Sequence, residues 1–257
     1  MTGADPQIEA VTRWVSQARS ITVLTGAGIS TESGIPDFRG PDGLWTRNPG
    51  AARMFELSAY RTDPQLRETA WRNRVAHPAW TAQPNAGHRA LVELERAHRL
   101  RALVTQNIDG LHQVAGNDPG LVLEIHGTIH EVECLDCPWR GPTQDTLARV
   151  EAGETDPPCP RCGGLLKTAT ISFGQALRRD VLAASLEAAR DCDLFLAVGT
   201  SMTVQPAASL AQVAVDAGAR LVVVNAEPTP YDALAAARID SAIGGVLPLL
   251  VRGLSAA

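Results

Sequence analysis

Leu103-Val104-Thr105-Gln106-Asn107-Ile108-Asp109-Gly110-Leu111-His112 is the stretch on which the reading of this 257-residue chain turns. An apolar run breaks off there into two amides, a carboxylate, a glycine and an imidazole. Short apolar runs read as buried strands, and ligands of open parallel sheets gather at strand carboxyl ends. Taken alone, the segment is equally well a strand with a polar turn behind it. Three other strand ends finish in residues just as unusual, and that shifts the reading toward a binding site.

Upstream, Asp5-Pro6 reads as a helix start, with Ile8, Val11, Val15 and Ala18 on one face. Ile21-Thr22-Val23-Leu24 then runs straight into Gly26-Ala27-Gly28-Ile29-Ser30. Helix, strand and glycine turn open a dinucleotide-binding unit. Further strands are expected at residues 101–105, 121–125, 194–198 and 220–224, with helices at 85–97, 176–190 and 206–217. This alternation argues for an α/β fold, a Rossmann-like, doubly wound and mostly parallel sheet with helices on both faces.

Two segments break the alternation. Residues 45–81, rich in Arg and Trp, read as loop plus short helices; residues 131–167 hold four of the five cysteines and no long apolar run. Neither can bury a core of its own. Together they are expected to form a small inserted domain, helical plus zinc ribbon, beside a Rossmann-like domain of residues 1–44, 82–130 and 168–257.

A 45% hydrophobic and 20% charged composition is that of a soluble globular protein. The net charge of −5 gives no reason to expect nucleic acid as a partner and mildly suits one with exposed lysines. Met1-Thr2-Gly3-Ala4-Asp5-Pro6 carries no basic segment and no apolar stretch follows, so no secretory signal is expected. No apolar run approaches the ~20 residues that span a bilayer. A cytoplasmic protein without membrane contact is the expectation.

Cys134-Leu135-Asp136-Cys137 and Cys159-Pro160-Arg161-Cys162, separated by residues 138–158, have the spacing of a zinc ribbon. Four thiolates suit tetrahedral Zn²⁺ and leave it no open position, so such a metal is structural. A redox dithiol is the competing reading. Cys192, just before an apolar run, reads as a small core residue.

Gly26-Ala27-Gly28 is half of a dinucleotide fingerprint, where glycines let backbone approach a pyrophosphate and Ser30 and Thr31 add donors. Gly34-Ile35-Pro36-Asp37-Phe38-Arg39-Gly40 sets an acid, an aromatic and a guanidinium side by side. Gly199-Thr200-Ser201 and Asn225-Ala226-Glu227 close two more strands, the latter where a polar group can hold a ribose hydroxyl. Of the six histidines, only His126 directly ends an apolar strand and is followed by glycine. A neutral imidazole there can serve as a general base, although a lone histidine is more often a core or capping residue.

These motifs, in this order, resemble the sirtuins from about Ile21 to Pro248. Gly-Ile-Pro-Asp-Phe-Arg-Gly and Thr-Gln-Asn-Ile-Asp-Gly-Leu-His carry the resemblance most specifically. It implies NAD⁺-dependent removal of an acyl group from protein lysine, most simply acetyl. The products implied are nicotinamide, O-acyl-ADP-ribose and the free amine. It implies that the acyl oxygen attacks C1′ of the nicotinamide ribose and that His126 then helps deprotonate a ribose hydroxyl. Asn107 and Asp109 match residues that hold the nicotinamide carboxamide and order its pocket. Ser30, Asp37 and Arg39 match the cofactor loop, Phe38 the aromatic that shields the ribose carbon, and Gln106 a ribose contact. The implied cofactor contacts also include Ile108, Ala226, Glu227 and Ile243. An acyl-lysine peptide is expected to add as a strand between Ile171-Ser172-Phe173-Gly174 and the segment after Gly199. A monomer is expected.

Two departures stand out. Phe173-Gly174-Gln175 replaces the family's Phe-Gly-Glu, which bears on peptide binding. Members preferring acidic acyl groups carry Tyr-x-x-Arg in the first insertion, and the nearest match is Trp71-Arg72-Asn73-Arg74. Arg74 could therefore pair with a succinyl or malonyl carboxylate, or Arg72 and Arg74 could simply solvate a helix. A mono-ADP-ribosyltransferase and an NAD- or ADP-ribose-binding module are the other classes compatible with the motifs. A dehydrogenase fits less well, because the glycine fingerprint is incomplete and Asn225 stands where an acid would be sought.

Overall fold

The computed structural model describes residues 6–254. Asp5, expected to cap the first helix, lies outside the described residues. Helix α1 (Pro6–Gln17) buries Val11 and Val15 and leads into strand β1 (Ile21–Thr25), whose five residues are all buried. A 3-10 turn over Ala27–Ser33 follows, then helices α2 (Leu44–Arg47), α3 (Leu57–Thr62) and α4 (Pro64–Val75). The chain returns through α5 (Ala86–Arg96), β2 (Leu100–Thr105), α6 (Leu111–Ala115) and β3 (Val122–Glu124). A second excursion forms β4 (Gly127–Cys134), β5 (Arg140–Pro142), α7 (Thr143–Glu151) and β6 (Leu166–Thr170). Helix α8 (Arg179–Arg190), β7 (Leu194–Val198), α9 (Ser209–Asp216), β8 (Arg220–Val224), β9 (Ala237–Ile239) and α10 (Ile243–Leu250) complete it.

Six parallel strands make the main sheet in the order β3-β2-β1-β7-β8-β9. Their β-branched runs are buried on both faces, as a covered parallel sheet requires. Val23, Leu103, Leu196 and Val222 meet helices α1, α5 and α10 through Val15, Leu91 and Leu247. Leu24, Val104, Phe195 and Val223 face the other way, toward Ala189 of α8 and Leu210 and Ala214 of α9. The chain leaves β1 toward β2 and β3 on one side and returns through β7, β8 and β9 on the other. The crevice opens where the order reverses, between β1 and β7. Among the described residues no helix is long and apolar enough to cross a membrane.

The strand and helix expectations hold to within a few residues. Helices expected from 176 and 206 begin at Arg179 and Ser209, because the residues before them turn across the cavity mouth. The first insertion is more regular than its composition suggests. Asp63 caps α4 by accepting from the Leu66 amide, and Pro64 sits at the first helical position. Its polar surface hides a helix that buries Leu66, Arg67 and Trp71.

The second, antiparallel sheet is ordered β5-β4-β6 and begins at Gly127. Trp71 from the first insertion packs with Val132, Cys134, Leu147, Cys159 and Leu166 from the second, so the two excursions share one core. The largely buried Arg67–Asp156 pair (2.8 Å) and the Tyr60 hydroxyl, donating to the Leu166 carbonyl (2.7 Å), join them further.

Gly127 marks the passage between the sheets. Its φ is +76°, and a Cβ there would lie 2.0 Å from the Ala169 carbonyl oxygen. Gly127→Ala is expected to cost more than ~2 kcal/mol, a left-handed penalty of ~1–2 kcal/mol plus the clash. Urea unfolding checks this, and a loss below ~1 kcal/mol would show that the passage is not tightly held.

Candidate functional site

The carboxyl ends of the central strands and the facing edge of the small sheet enclose a cavity of 920 Å³. Gly26, Ala27 and Gly28 line it opposite Gly199, Thr200 and Ser201. Gln106, Asn107, Ile108 and His126 form one wall, and Ile171, Phe173 and Gly174 another. Asn225, Ala226, Glu227 and Ile243 lie along the same cavity, and Asp37, Phe38 and Arg39 line it from the loop before α2. Residues scattered over more than 200 positions are thus brought together.

His126 sits between β3 and β4. Its Nδ1 is 3.2 Å from the Gln106 carbonyl oxygen, which can only accept, so Nδ1 carries the proton and Nε2 the lone pair. Burial holds this imidazole below its ordinary pKa, against an opposing pull from the Gln106 hydrogen bond. The ring is neutral near pH 7 and able to accept a proton.

Behind the wall lies a chain of buried polar groups. Asn107 Nδ2 donates to the Gly26 carbonyl and to Ser30 Oγ, each at 3.1 Å. Ser30 Oγ donates to Asp109 Oδ2 at 2.7 Å, and Asp109 Oδ1 accepts from the Leu111 amide at 3.0 Å. With its nitrogen so used, Asn107 keeps its carbonyl oxygen for the cavity. Burial raises the Asp109 pKa, while the bonds from Leu111 and Ser30 pull it down. Ser30 and Asp109, expected as direct contacts, are buried and do not line the cavity; hydrogen bonds connect them to it through Asn107. Gln106 Nε2 donates to Thr200 Oγ1 at 2.8 Å, fastening the β2 corner to the β7 corner.

Aromatic rings form the boundary toward the small sheet. Phe38 lies 4.9 Å from Trp45 and 5.7 Å from Phe55 between ring centroids, and Trp45 lies 5.9 Å from Phe173. The Arg39 guanidinium sits 4.4 Å over the Trp45 ring. Trp45 and Phe55 line the cavity and were not singled out from sequence. The only signal was the Trp-rich composition of their segment, which fits a core equally well.

The two residues of the Trp-x-x-Arg match part company. Trp71 is 2% exposed inside the core shared by the two insertions and is not brought to the cavity. Arg74 does line it, donating to Thr168 Oγ1 at 3.1 Å. Burial lowers the Arg74 pKa to about 10, against a raising effect of Tyr60, and no carboxylate pairs with it among the described residues. Arg72 alone is the exposed arginine of that helix, bonded to Thr69. Gln175 closes its own turn, accepting from the Ser172 amide at 3.2 Å and donating to Glu133 Oε1 at 3.3 Å.

The sulfurs of Cys134, Cys137, Cys159 and Cys162 all lie within 4.8 Å of one another. Cys134–Cys162 and Cys137–Cys159 are 3.6 and 3.8 Å apart. A tetrahedron with Zn–S of ~2.3 Å has edges of ~3.8 Å, so the donor set is built to hold zinc. None of the four lines the cavity, which makes the metal structural. Cys192 is buried in the main core, as expected.

A model of the Sir2 family matches residues 26–206. NAD-dependent protein deacetylase 2 of Streptomyces coelicolor is 53% identical over 91% of this chain and 97% of its own length. NAD-dependent protein deacylase 2 of Pyrobaculum aerophilum is 41% identical over 92% of each chain. A structure of Sir2 with p53 peptide and NAD⁺ superposes with a TM-score of 0.84 at 32% identity, covering 93% of this chain and 95% of the other. Another, with deacetylated p53 peptide and 3′-O-acetyl ADP-ribose, gives 0.88 at 31% identity, covering 96% and 99%.

The thiolate cluster generates its own test. Cys134→Ala together with Cys137→Ala should abolish zinc binding and release amide protection across residues 127–170, because such metals contribute ~10–16 kcal/mol of folding free energy in small modules. Zinc content and hydrogen exchange are the readouts. Metal-free protein with unchanged protection there would overturn the structural role.

Proposed function

This chain belongs to the Sir2 family, and from that membership and the cavity's geometry we propose that it is an NAD⁺-dependent protein-lysine deacylase, acting first as a deacetylase. One observation carries the reading. His126, its tautomer set by the Gln106 carbonyl, lines the same cavity as Asn107 and the 171–174 segment. A proton acceptor, a carboxamide-binding amide and a peptide edge are what such a reaction needs side by side.

NAD⁺, when bound, supplies the glycosidic carbon that receives the acyl oxygen. The chain's residues do the rest. Gly26, Ala27, Gly28, Gly199, Thr200 and Ser201 offer backbone and hydroxyl donors to the pyrophosphate region. Asn225, Ala226, Glu227 and Ile243 hold the far nucleoside, and Asp37 and Arg39 the near side. Asn107, braced by Ser30 and Asp109, holds the nicotinamide carboxamide, with Ile108 beside it. Gln106 contacts the ribose, Phe38 excludes water from its reactive face, and His126 Nε2 accepts the hydroxyl proton. Acyl-lysine peptides add as a strand between Ile171, Phe173 and Gly174 and the segment after Gly199.

We take residues 45–81 and 131–167 as the small domain, as their composition suggests. A reducing, cytoplasmic setting follows from the need to keep four thiolates free for metal. A monomer satisfies the site, since every group named comes from one chain.

A second reading has one specific observation behind it: the half-buried Arg74 on the cavity wall, with no acid paired to it among the described residues, favours an acyl group ending in a carboxylate. Matched acetyl- and succinyl-lysine peptides distinguish the two. Arg74→Ala should lower succinyl turnover ~10–100-fold, the worth of a charged hydrogen bond, and leave acetyl turnover nearly unchanged. Equal changes in both would remove Arg74 as a selector.

The principal test incubates the protein with NAD⁺ and an acetyl-lysine peptide and identifies products by mass. Nicotinamide, O-acetyl-ADP-ribose and free lysine are expected. His126→Ala should cut deacylation at least ~100-fold, as loss of a general base does. Because burial lowers the His126 pKa, the base stays active down to the ordinary imidazole value of ~6.5, and kcat/KM should fall only at more acidic pH. ADP-ribose attached to protein, or unchanged NAD⁺, would replace this reading by transfer or by binding alone.

A further inference from the structure

Gln175, the residue by which this chain departs from Phe-Gly-Glu, is tied to a buried charge pair beneath the peptide edge. Lys167 in β6 is 3% exposed, a burial that an ammonium tolerates only with its charge met. Its register partner across the antiparallel sheet is Glu133 of β4, and Nζ lies 3.9 Å from Glu133 Oε1. The same ammonium reaches forward along its own strand, donating to the carbonyls of Thr168, at 3.0 Å, and of Thr170.

Glu133 passes the link on. Its Oε1 accepts from Gln175 Nε2 at 3.3 Å, and Gln175 Oε1 accepts from the Ser172 amide at 3.2 Å. The Gln175 backbone amide in turn donates to the Ser172 carbonyl at 2.9 Å, which closes the turn. The buried pair therefore holds the 171–174 segment at both ends, at Thr170 through the lysine and at Gln175 through the glutamate. Thr170, Ile171, Ser172 and Gln175 line the cavity, whereas Lys167 and Glu133 stand behind it.

Polarity explains why an amide stands at 175. Its Nε2 meets Glu133 as a donor, where a glutamate would set carboxylate against carboxylate beside one ammonium. Arg178, whose charge also reaches Glu133, is already paired with Asp180 at 2.7 Å. We propose that Lys167 and Glu133 are positioning residues for the peptide-binding edge and that Gln175 is matched to them, so that positions 133 and 175 together must offer one acid and one amide. The effect on turnover rests on the deacylase reading, in which a peptide aligns on residues 171–174; the clamp itself does not.

The test is run on the full chain with zinc bound and has two arms. The first reads amide hydrogen exchange at Ser172. Gln175→Glu should speed it about fivefold, the worth of one lost hydrogen bond, and Glu133→Gln added to it should restore the rate to within ~2-fold of the parent. In the swapped pair the amide donates from position 133, and the carboxylate at 175 accepts it together with the Ser172 amide. Lys167→Met should speed exchange similarly and Lys167→Arg should not; where the methionine variant does not fold, the swap decides. An unchanged rate in Gln175→Glu, or no recovery in the swap, overturns the clamp whether or not the chain turns over NAD⁺. In the second arm, KM for an acetyl-lysine peptide should rise about fivefold in Gln175→Glu and return in the swap, with KM for NAD⁺ within ~2-fold of the parent throughout. Both constants rising together, with no return in the swap, overturns the positioning role. Absence of turnover in the parent chain would count against the deacylase reading alone.

Discussion

At the heart of the crevice, backbone packs directly against backbone. The Gly28 amide donates to the Gly199 carbonyl at 2.9 Å, and a Cβ on Gly28 would lie 2.8 Å from Gly199 Cα. Gly199 itself has φ of +61°. The glycine corners after β1 and β7 therefore touch without any side chain between them, at the point where the sheet reverses its order. A side chain at either corner would wedge β1 from β7 and fill the crevice where a dinucleotide's phosphates approach backbone amides. Gln106 adds a side-chain bond to Thr200 across the same seam, so three adjacent strand ends move as one.

On this floor the polar residues are held by strand ends instead of mobile loops. Thr25, Ser30, Thr105, Asn107 and Asp109 are all buried, and each has a partner within the group. Buried hydrogen-bonded networks cost stability when one member is removed and confer rigidity when complete. Rigidity is what a site acting by orientation requires. It also explains why Ser30 and Asp109, although not on the cavity surface, occur in the same constellation as Asn107.

Much of this is legible in the amino-acid sequence itself. The buried parallel strands announced themselves as short β-branched runs, because a strand covered on both faces has no polar side to disguise it. The metal module was legible because two thiolate pairs at ribbon spacing have few other uses. What escaped was whatever depends on contacts between distant segments. Helix α4 turns a polar face outward and buries Arg67 against Asp156, so its helical pattern is faint. Trp45 and Phe55 become cavity residues only through tilted and edge-on ring contacts with Phe38 and Phe173. Trp71 and Arg74 are three positions apart on one helix, yet one turns into the core and the other into the cavity. Spacing alone could not separate those roles.

That division on α4 shows how the metal module bears on a site it never touches. Trp71 packs on Cys134, Cys159 and Leu166, so the position of α4 depends on the thiolate cluster. Leu166 opens β6, and the chain leaving β6 becomes the 171–174 edge of the cavity. That edge is tied on one side to the His126 carbonyl, through the Ile171 amide at 2.8 Å. On the other it pairs with the first insertion, where the Phe173 amide donates to Phe55 at 2.7 Å and the Leu57 amide to Phe173 at 3.0 Å. Both insertions and the main sheet therefore meet along one short extended segment. Loosening the zinc cluster would loosen α4 and β6 together, and with them Arg74, the aromatic boundary and the strand on which a peptide would align.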